Sequence, residues 1–208
     1  MTDKNAIIND NSQEPDTDLY LASTSPRRGE LLKQLGLCYR KVHAPVEEVA
    51  LPGESPPSFV RRMAVEKALN GFQKVPGAQV WVVGGDTLIH VDGKVLGKPR
   101  HRQEGLTMLK RLSGRSHDVY SAVAVVHDGA VFSALNHTRV WFRALSEQEI
   151  QAYWDMGEPQ GKAGSYAIQG RGAGFVERLD GSYSAVMGLP LFELDRLLNE
   201  SGFWSKHV

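Results

Sequence analysis

The chain has 208 residues and equal numbers of basic and acidic side chains, 24 of each, so its formal net charge is zero. That length is enough for one sizeable core, and the zero net charge argues against binding to a long nucleic acid. The single cysteine, Cys38, excludes an intramolecular disulfide, and no apolar run approaches the roughly 20 residues of a membrane span. We therefore expect a cytoplasmic protein without a membrane partner, with a loose polar tail over 1–17 and a single domain over 18–208.

The first predicted elements are a buried strand over 19–22 and a helix with Ser25 at its N-cap and Pro26 in its first turn. Arg27 and Arg28 then lie in the first turn of that helix, where the helix dipole disfavours cations. Unpaired backbone N–H groups lie in the same turn, so a bound anion would account for both arginines. Phosphate is the obvious candidate.

The next stretch predicts a short strand over 38–42, a loop over 44–57 that carries Glu48, and a helix over 58–72. The apolar stripe of that helix is interrupted by Lys67, which occupies a position on the inner face. We therefore expect this lysine to point inward or along a cleft.

A continuous apolar run predicts a strand over 80–83, with Asp86 at or just past its carboxyl end. The segment 88–96 has a hairpin signal at Asp92-Gly93 and leads to Lys98. This hairpin would return Lys98 to the neighbourhood of Asp86. Carboxyl ends of strands are favoured places for active sites in α/β folds.

The segment 161–174 contains five glycines together with Gln169, and it is too long and irregular for a simple turn. Long loops of this kind usually form part of a binding site. The other predicted elements, in chain order, are a helix over 103–112, antiparallel strands over 117–126 and 130–142, a helix opened by the capping pair Ser146 and Glu149, a hairpin over 175–187 and a terminal helix over 190–199. Strands and hairpins alternating with helices favour a mixed α/β sheet with helices packed around it.

The unusual polar positions combine four cations with two carboxylates: Arg27, Arg28, Lys67, Lys98, Glu48 and Asp86. Cations can neutralise phosphate oxygens during cleavage of a P–O bond, while carboxylates can hold a hard ion such as Mg²⁺ or Mn²⁺. Asp86 can serve either as a metal ligand or as a general base toward water, and the residues leave both roles open.

Each of these residues also has a structural interpretation. The two arginines can be solvated helix residues that pair with nearby acids. Lys67 can extend from the apolar face with its charge in water, and Asp86 can be a turn residue before Thr87. Gln169 can be structural, as in most glycine-rich loops.

Several motifs, in order and at similar spacing, resemble those of the Maf family of nucleoside triphosphate pyrophosphatases. The resemblance covers about residues 19–198. The motifs are Ser-Thr-Ser-Pro-Arg-Arg at 23–28, Glu-Lys-Ala at 66–68, Gly-Asp-Thr at 85–87, Gly-Lys-Pro at 97–99, Ser-Gly at 113–114, Lys-Ala-Gly-Ser-Tyr-Ala-Ile-Gln-Gly at 162–170, Asp-Gly-Ser-Tyr at 180–183 and Gly-Leu-Pro-Leu at 188–191.

The resemblance implies a Maf/ITPase-like α/β fold, a mixed twisted sheet with a central cleft. It also implies hydrolysis between the α- and β-phosphates with a divalent metal, Mg²⁺ or Mn²⁺, usually by a homodimer. One departure is Gly85, where the family more often has alanine. A second class of function stays open, a nucleotide-binding regulator without significant hydrolysis, because Maf relatives are also described as inhibitors of septum formation.

Site residues follow from the same motifs. Asp86 matches the family's proton acceptor, and Lys67 and Lys98 are the other expected catalytic residues. Glu48 and Asp86 are the expected metal ligands. The residues expected to bind substrate or set specificity are Ser25, Arg27, Arg28, Thr87 and Gln169. The sequence around Gln169 resembles the subgroup that acts on dTTP and UTP rather than the 7-methyl-GTP subgroup, and an amide can both donate to and accept from a pyrimidine edge.

Overall fold

The computed structural model describes residues 17–77 and 79–207. Of the tail predicted over 1–17, only Thr17 belongs to these residues, and the rest lies outside them. The hydroxyl of Thr17 donates to the carbonyl of Cys38 at 3.1 Å and accepts from the amide of Leu19 at 3.2 Å. This last residue of the predicted tail is therefore already attached to the fold.

The predicted α/β class is confirmed, since helices surround one sheet of seven strands. The strands are β1 Leu19–Ala22, β2 Arg40–Lys41, β3 Trp81–Val91, β4 Lys94–Leu96, β5 Ser116–His127, β6 Ala130–Phe142 and β7 Val176–Asp180. Their order is β2-β1-β3-β5-β6-β7, with β4 also paired to β3. The sheet is mixed because β1 is parallel to β2 and β3, whereas the other pairs are antiparallel.

The helices are α1 Pro26–Gln34, α2 Pro56–Phe72, α3 Arg102–Leu112, α4 Glu147–Asp155, α5 Tyr183–Met187, α6 Leu191–Glu200 and α7 Phe203–Lys206. Two short 3-10 turns, at Ala163–Ser165 and Arg171–Phe175, lie in the glycine-rich segment. The capping box predicted at Ser146 and Glu149 is present at the start of α4. Among the helices of the described chain, none has the length and apolarity needed to cross a membrane.

The two faces of the sheet are covered by different helices. On one face, Val60, Ala64 and Ala68 of α2 pack against residues of β3 and β5. On the other face, α1 and α6 cover one end of the sheet, around Trp81 and Val83, and α3 and α4 cover the other end. Because side chains alternate along a strand, successive residues of β3 point to different helices.

One edge of β3 is interrupted, and this interruption opens a cleft. The edge pairs with β1 as far as Gly84, opposite Ala22, and pairs again with β4 from Ile89, opposite Leu96. The other edge of β3 pairs with β5 throughout. Within the described chain, residues 85–88 thus have a strand neighbour on one edge only, and both Asp86 and Thr87 belong to this stretch.

Two sequence predictions are wrong. Asp86 does not lie at the end of a strand, because β3 continues to Val91, supported by continuous pairing with β5 and by β4. The hairpin predicted over 175–187 is also absent from the described structure. Its first half is β7, which pairs with β6, but the second half is α5, whose N-cap Ser182 accepts a hydrogen bond from the amide of Ala185.

The remaining predicted elements are present with small shifts of their ends. The helix predicted over 58–72 begins earlier, at Pro56, since the Ser55 side chain accepts the capping hydrogen bond from the amide of Ser58. The strand predicted over 38–42 is limited to Arg40 and Lys41, and α7 was not predicted.

Candidate active site

A cleft of about 810 Å³ opens beside the interrupted edge of β3. Each of the nine predicted site residues contributes to its lining, from α1, α2, β3 and three loops. They are Ser25, Arg27, Arg28, Glu48, Lys67, Asp86, Thr87, Lys98 and Gln169. The tertiary structure thus brings together residues that are spread over more than half of the chain.

One side of the cleft, here called the strand wall, consists of Arg28, Lys67, Asp86 and Thr87. Its centre is the ammonium group of Lys67, which donates to Oδ1 of Asp86 at 2.7 Å and contacts Oε1 of Glu48 at 2.5 Å. Lys67 is buried, as its place on the apolar stripe predicted. One cation therefore holds a carboxylate from β3 and a carboxylate from the loop before α2.

The close approach of α2 to β3 explains this contact. A Cβ atom at Gly84 would lie 2.3 Å from the carbonyl oxygen of Ala64 and 2.6 Å from the amide nitrogen of Ala68. Only glycine lets the helix backbone come so near to the strand. Lys67 and Asp86, which neighbour this crossing point on their respective elements, are brought within hydrogen-bonding distance as a result.

Two hydrogen bonds hold Arg28 on the face of β3 that is opposite to α2. Its Nε donates to the carbonyl of Gly188 at 2.8 Å, and its Nη1 donates to Oγ of Ser23 at 3.1 Å. Burial lowers the pKa of Arg28, and the carboxylate of Asp86 opposes that shift. Since an arginine stays protonated in proteins, the guanidinium places a fixed positive charge in the cleft.

Thr87 and Gly85 shape the same region. The hydroxyl of Thr87 shares a 2.8 Å hydrogen bond with Ser121 and donates to the carbonyl of Gly188 at 3.3 Å. A Cβ atom at Gly85 would lie 3.2 Å from Nε of Arg28. This contact is tight but not prohibitive, so a small shift of the Arg28 side chain would accommodate an alanine at this position.

Ser25 occupies the N-cap position of α1 with extended backbone, as predicted, but its side chain makes no capping hydrogen bond. The amide of Ser25 instead donates to Oγ of Ser23 at 3.2 Å. The Ser25 hydroxyl is thus available to a ligand in the cleft, next to the first-turn N–H groups of α1.

The facing side of the cleft, here called the loop wall, consists of Glu48, Lys98, Lys162 and Gln169. Its side chains come from loops, and those of Lys98 and Gln169 are exposed. Burial alone would raise the pKa of Glu48, but the hydrogen bond and charge of Lys67, with smaller contributions from Lys98 and Arg28, lower it. The loop wall therefore presents an ionised carboxylate among cations.

Lys162 was not among the predicted site residues. It lines the cleft, and its ammonium donates to the backbone carbonyl of Glu158 at 2.6 Å. Burial and the nearby charge of Arg27 lower the pKa of Lys162, while Glu158 opposes the shift. The available signal was a lysine inside the glycine-rich segment beside Gln169.

The two carboxylates fit the expected metal chemistry. Glu48 and Asp86 both contact the ammonium of Lys67, so the two carboxylates lie close to each other in the cleft. Within the described ranges 17–77 and 79–207, no group of three or more His, Cys, Asp or Glu side chains could hold a metal ion by itself. Mg²⁺ is commonly held by one or two carboxylates completed by substrate phosphates, and this pair suits that arrangement.

Fold and cleft together describe an α/β protein with a cationic cleft, two converging carboxylates and a loop that carries an exposed amide. A family model described as "Maf-like protein" matches residues 18–201. The chain therefore belongs to the Maf family.

Curated relatives extend this result. A protein of Hydrogenovibrio crunogenus named dTTP/UTP pyrophosphatase is 58% identical over 90% of this chain and 98% of its own length. Proteins with the same name from Alkalilimnicola ehrlichii and Vibrio cholerae are 51% and 50% identical, each over 88% of this chain and over 92% and 97% of their own lengths.

Proposed function

We propose that this protein is a nucleoside triphosphate pyrophosphatase that hydrolyses dTTP and UTP to the nucleoside monophosphate and pyrophosphate. The relatives named above, which carry the name dTTP/UTP pyrophosphatase, support the activity and its pyrimidine substrates. Removal of such nucleotides, or of modified pyrimidine nucleotides, from the cellular pool is the role that this activity would serve.

The observation that carries the proposal is the contact of Lys67 with both Asp86 and Glu48 in a cleft that Arg28 and Lys98 also line. Cations next to two ionised carboxylates suit a triphosphate with a divalent ion. A divalent ion held by Glu48 and Asp86 would supply charge neutralisation at the phosphates. Mg²⁺ and Mn²⁺ are the candidates.

Asp86 is the proposed general base. Lys67 engages its Oδ1. No residue of the described chain makes a hydrogen bond to its Oδ2, so this oxygen is the one available to accept a proton from water or to join Glu48 in holding the ion. Lys67 fixes the orientation of the carboxylate, and Arg28 and Lys98 bind phosphate oxygens, whose negative charge shifts as the bond between the α- and β-phosphates breaks.

The base end of the substrate is assigned to Arg27, Thr87 and Gln169. The exposed amide of Gln169 can donate to a carbonyl of the pyrimidine and accept from its imide N–H. A cytosine presents an amino group and an unprotonated N3 at the same edge, so the amide favours uracil and thymine only in the orientation that directs its NH2 group toward the pyrimidine carbonyl.

The regulator of septum formation is the less favoured alternative. A protein that only senses a triphosphate does not need a general base. The hydrogen bond from Lys67, which orients the carboxylate of Asp86 in the cleft, supports a catalytic role for Asp86 instead. We further propose, on the family resemblance, that the protein acts as a homodimer in the cytoplasm and that residues 18–208 form its single domain.

Release of pyrophosphate from a panel of dNTPs, NTPs and 7-methyl-GTP, with Mg²⁺ or Mn²⁺, tests this function. The wild type is expected to prefer dTTP and UTP, and Asp86→Asn is expected to lower kcat by a factor of about 10² to 10⁴ while triphosphate binding persists. Asp92→Asn, in the exposed turn between β3 and β4, is the matched control. Binding without turnover by the wild type would instead favour the regulator, and undiminished turnover by Asp86→Asn would refute the assigned base.

A further inference from the structure

The glycine-rich loop between α4 and β7 is held by two side chains outside the cleft. Glu158 accepts hydrogen bonds from the amides of Arg171, at 2.9 Å to Oε2, and Gly172, at 3.0 Å to Oε1. Tyr153 donates its hydroxyl to Oε1 of Glu158 at 2.6 Å, and the same hydroxyl accepts from the amide of Ala167 at 3.0 Å. Tyr153 and Glu158 are here called the Glu158 clamp.

Two glycines make room for the clamp. A Cβ atom at Gly170 would lie 2.3 Å from Oε2 of Glu158, and one at Gly172 would lie 2.7 Å from the hydroxyl oxygen of Tyr153. The loop backbone is therefore wrapped directly around the carboxylate and the phenol. Side chains at these two positions would push the loop off its anchors.

The protonation states suit these contacts. Burial by itself would raise the pKa of Glu158, but hydrogen bonds from Tyr153, Arg171 and Gly172 outweigh it, and the net pKa lies below its usual range. Burial, together with Glu158, raises the pKa of Tyr153. The carboxylate is thus ionised and the phenol protonated at neutral pH, as the hydrogen bonds require.

Gln169 lies between the anchored amides of Ala167 and Arg171. Its exposed side chain makes no hydrogen bond to another residue of the described chain, so the backbone alone sets its position. The carbonyl of Glu158 also holds the ammonium of Lys162 at 2.6 Å, which fixes the start of the same loop. The clamp therefore fixes the part of the loop wall that carries Gln169, and the carbonyl of Glu158 holds Lys162 beside it.

We infer that Tyr153 and Glu158 are positioning residues that set pyrimidine selectivity by fixing the loop that carries Gln169. This inference rests on the proposed function, because it assigns to Gln169 the recognition of the base. It predicts that weakening the clamp alters discrimination between bases and leaves the phosphate-binding side of the cleft as it was.

The first test is Glu158→Gln, which keeps the shape of the side chain but replaces one acceptor oxygen by an N–H group. That group would face a backbone amide or the phenol, so a hydrogen bond to the loop is lost. We expect the ratio of kcat/KM for UTP over CTP to fall by about tenfold, since small misplacements of a recognition group have effects of this order. The inhibition constant of inorganic tripolyphosphate, which has no base, should not change.

Tyr153→Phe is the second variant, and it removes the hydroxyl that joins Glu158 to the amide of Ala167. The same fall in the UTP to CTP ratio is expected. Glu147→Gln is the control, since Glu147 is an exposed residue of the same helix that pairs with Lys110. It should keep the wild-type ratio. Amide exchange at residues 167–172 should become faster in both clamp variants and stay unchanged in the control.

The outcomes separate the inference from the proposed function. A wild type that hydrolyses no pyrimidine triphosphate would refute the function, while amide exchange would still report whether the clamp orders the loop. A selective wild type whose ratio survives Glu158→Gln and Tyr153→Phe would overturn the inference. Equal losses for UTP, CTP and tripolyphosphate, or failure of both variants to fold, would assign the clamp a purely structural role and overturn it as well.

Discussion

The strand wall and the loop wall of the cleft are stabilised in different ways. In the strand wall, the side chains of Lys67 and Asp86 are 11% and 12% exposed and bond to each other. In the loop wall, the Glu48 side chain is 56% exposed, and Gln169 is held only through its backbone. The proposed general base Asp86 and its partner Lys67 are thus fixed by packing and ion pairing, whereas Gln169, which is assigned to base recognition, depends on the anchoring of a loop.

The largest difference in unfolding free energy should separate the loss of the Lys67 ammonium from the loss of Glu48, its more exposed partner. Lys67→Met would leave the buried Asp86 without its hydrogen-bond donor, and breaking a buried pair in this way costs about 3 kcal/mol of unfolding free energy. Glu48→Gln removes the solvated partner and should cost less than about 1 kcal/mol. Urea unfolding of both variants measures the difference, and equal losses would contradict the contrast between the walls.

A pair of neighbouring glycines tests the packing beneath the strand wall. In Gly84→Ala, the new methyl group would collide with the backbone of α2, and we expect a loss of about 2 kcal/mol or more. In Gly85→Ala, the nearest atoms lie between 3.2 and 3.4 Å from the new Cβ, and the change should stay within about 1 kcal/mol.

Thermal and urea unfolding of the two glycine variants are the measurements. Since both substitutions add the same methyl group to adjacent positions of β3, each serves as the control for the other. A Gly84→Ala protein as stable as Gly85→Ala would show that α2 can move away from β3 without cost.

The buried contact between His117 of β5 and Tyr166 of the glycine-rich segment should make the stability of the fold depend on pH. His117 shares a 2.9 Å hydrogen bond with Tyr166, and burial lowers the pKa of His117 from 6.5 to about 4. Below pH 6.5 the unfolded chain binds this proton before the folded protein does, so stability is complete above pH 6.5 and declines toward pH 4. Between pH 6.5 and 5 we expect a loss of about 1.5 kcal/mol.

Urea unfolding at several pH values measures this decline. The carboxylates of Glu54 and Glu149, with pKa values lowered to about 2, begin to lose their contribution only near pH 4.5. The window from pH 6.5 to 5 lies above the range in which these two carboxylates lose their contribution. His117→Gln should flatten the slope in that window, and an unchanged slope would assign the effect to another group.

The smallest effect on stability and the clearest effect on selectivity should come from Gln169→Glu. The side chain is exposed, so the free energy of unfolding should change by less than about 0.5 kcal/mol. The new carboxylate would repel the carbonyl oxygens of the pyrimidine, and kcat/KM for dTTP and UTP should fall by about tenfold. Steady-state kinetics across the substrate panel check this, and an unchanged profile would remove Gln169 from base recognition.

The local elements were largely predictable. Helix α1 follows from Ser25, Pro26 and its leucines, and the capping box of α4 follows from Ser146 and Glu149, because such signals act within a few residues. The second half of the predicted hairpin over 175–187 is a helix instead of a strand. Ser182 caps this helix, so a second local signal competes there with the turn signal of Asp180-Gly181.

The sequence by itself determined the set of charged residues and the family resemblance, and it favoured an inward Lys67, since these rest on residue types and short spacings. Only the tertiary structure decided that Asp86 lies within a strand, at the interrupted edge between β1 and β4. It alone also showed Lys162 in the cleft and the clamp of Tyr153 and Glu158. Strand length, cleft position and loop anchoring depend on contacts with residues distant in the chain, and a local sequence pattern does not specify those contacts.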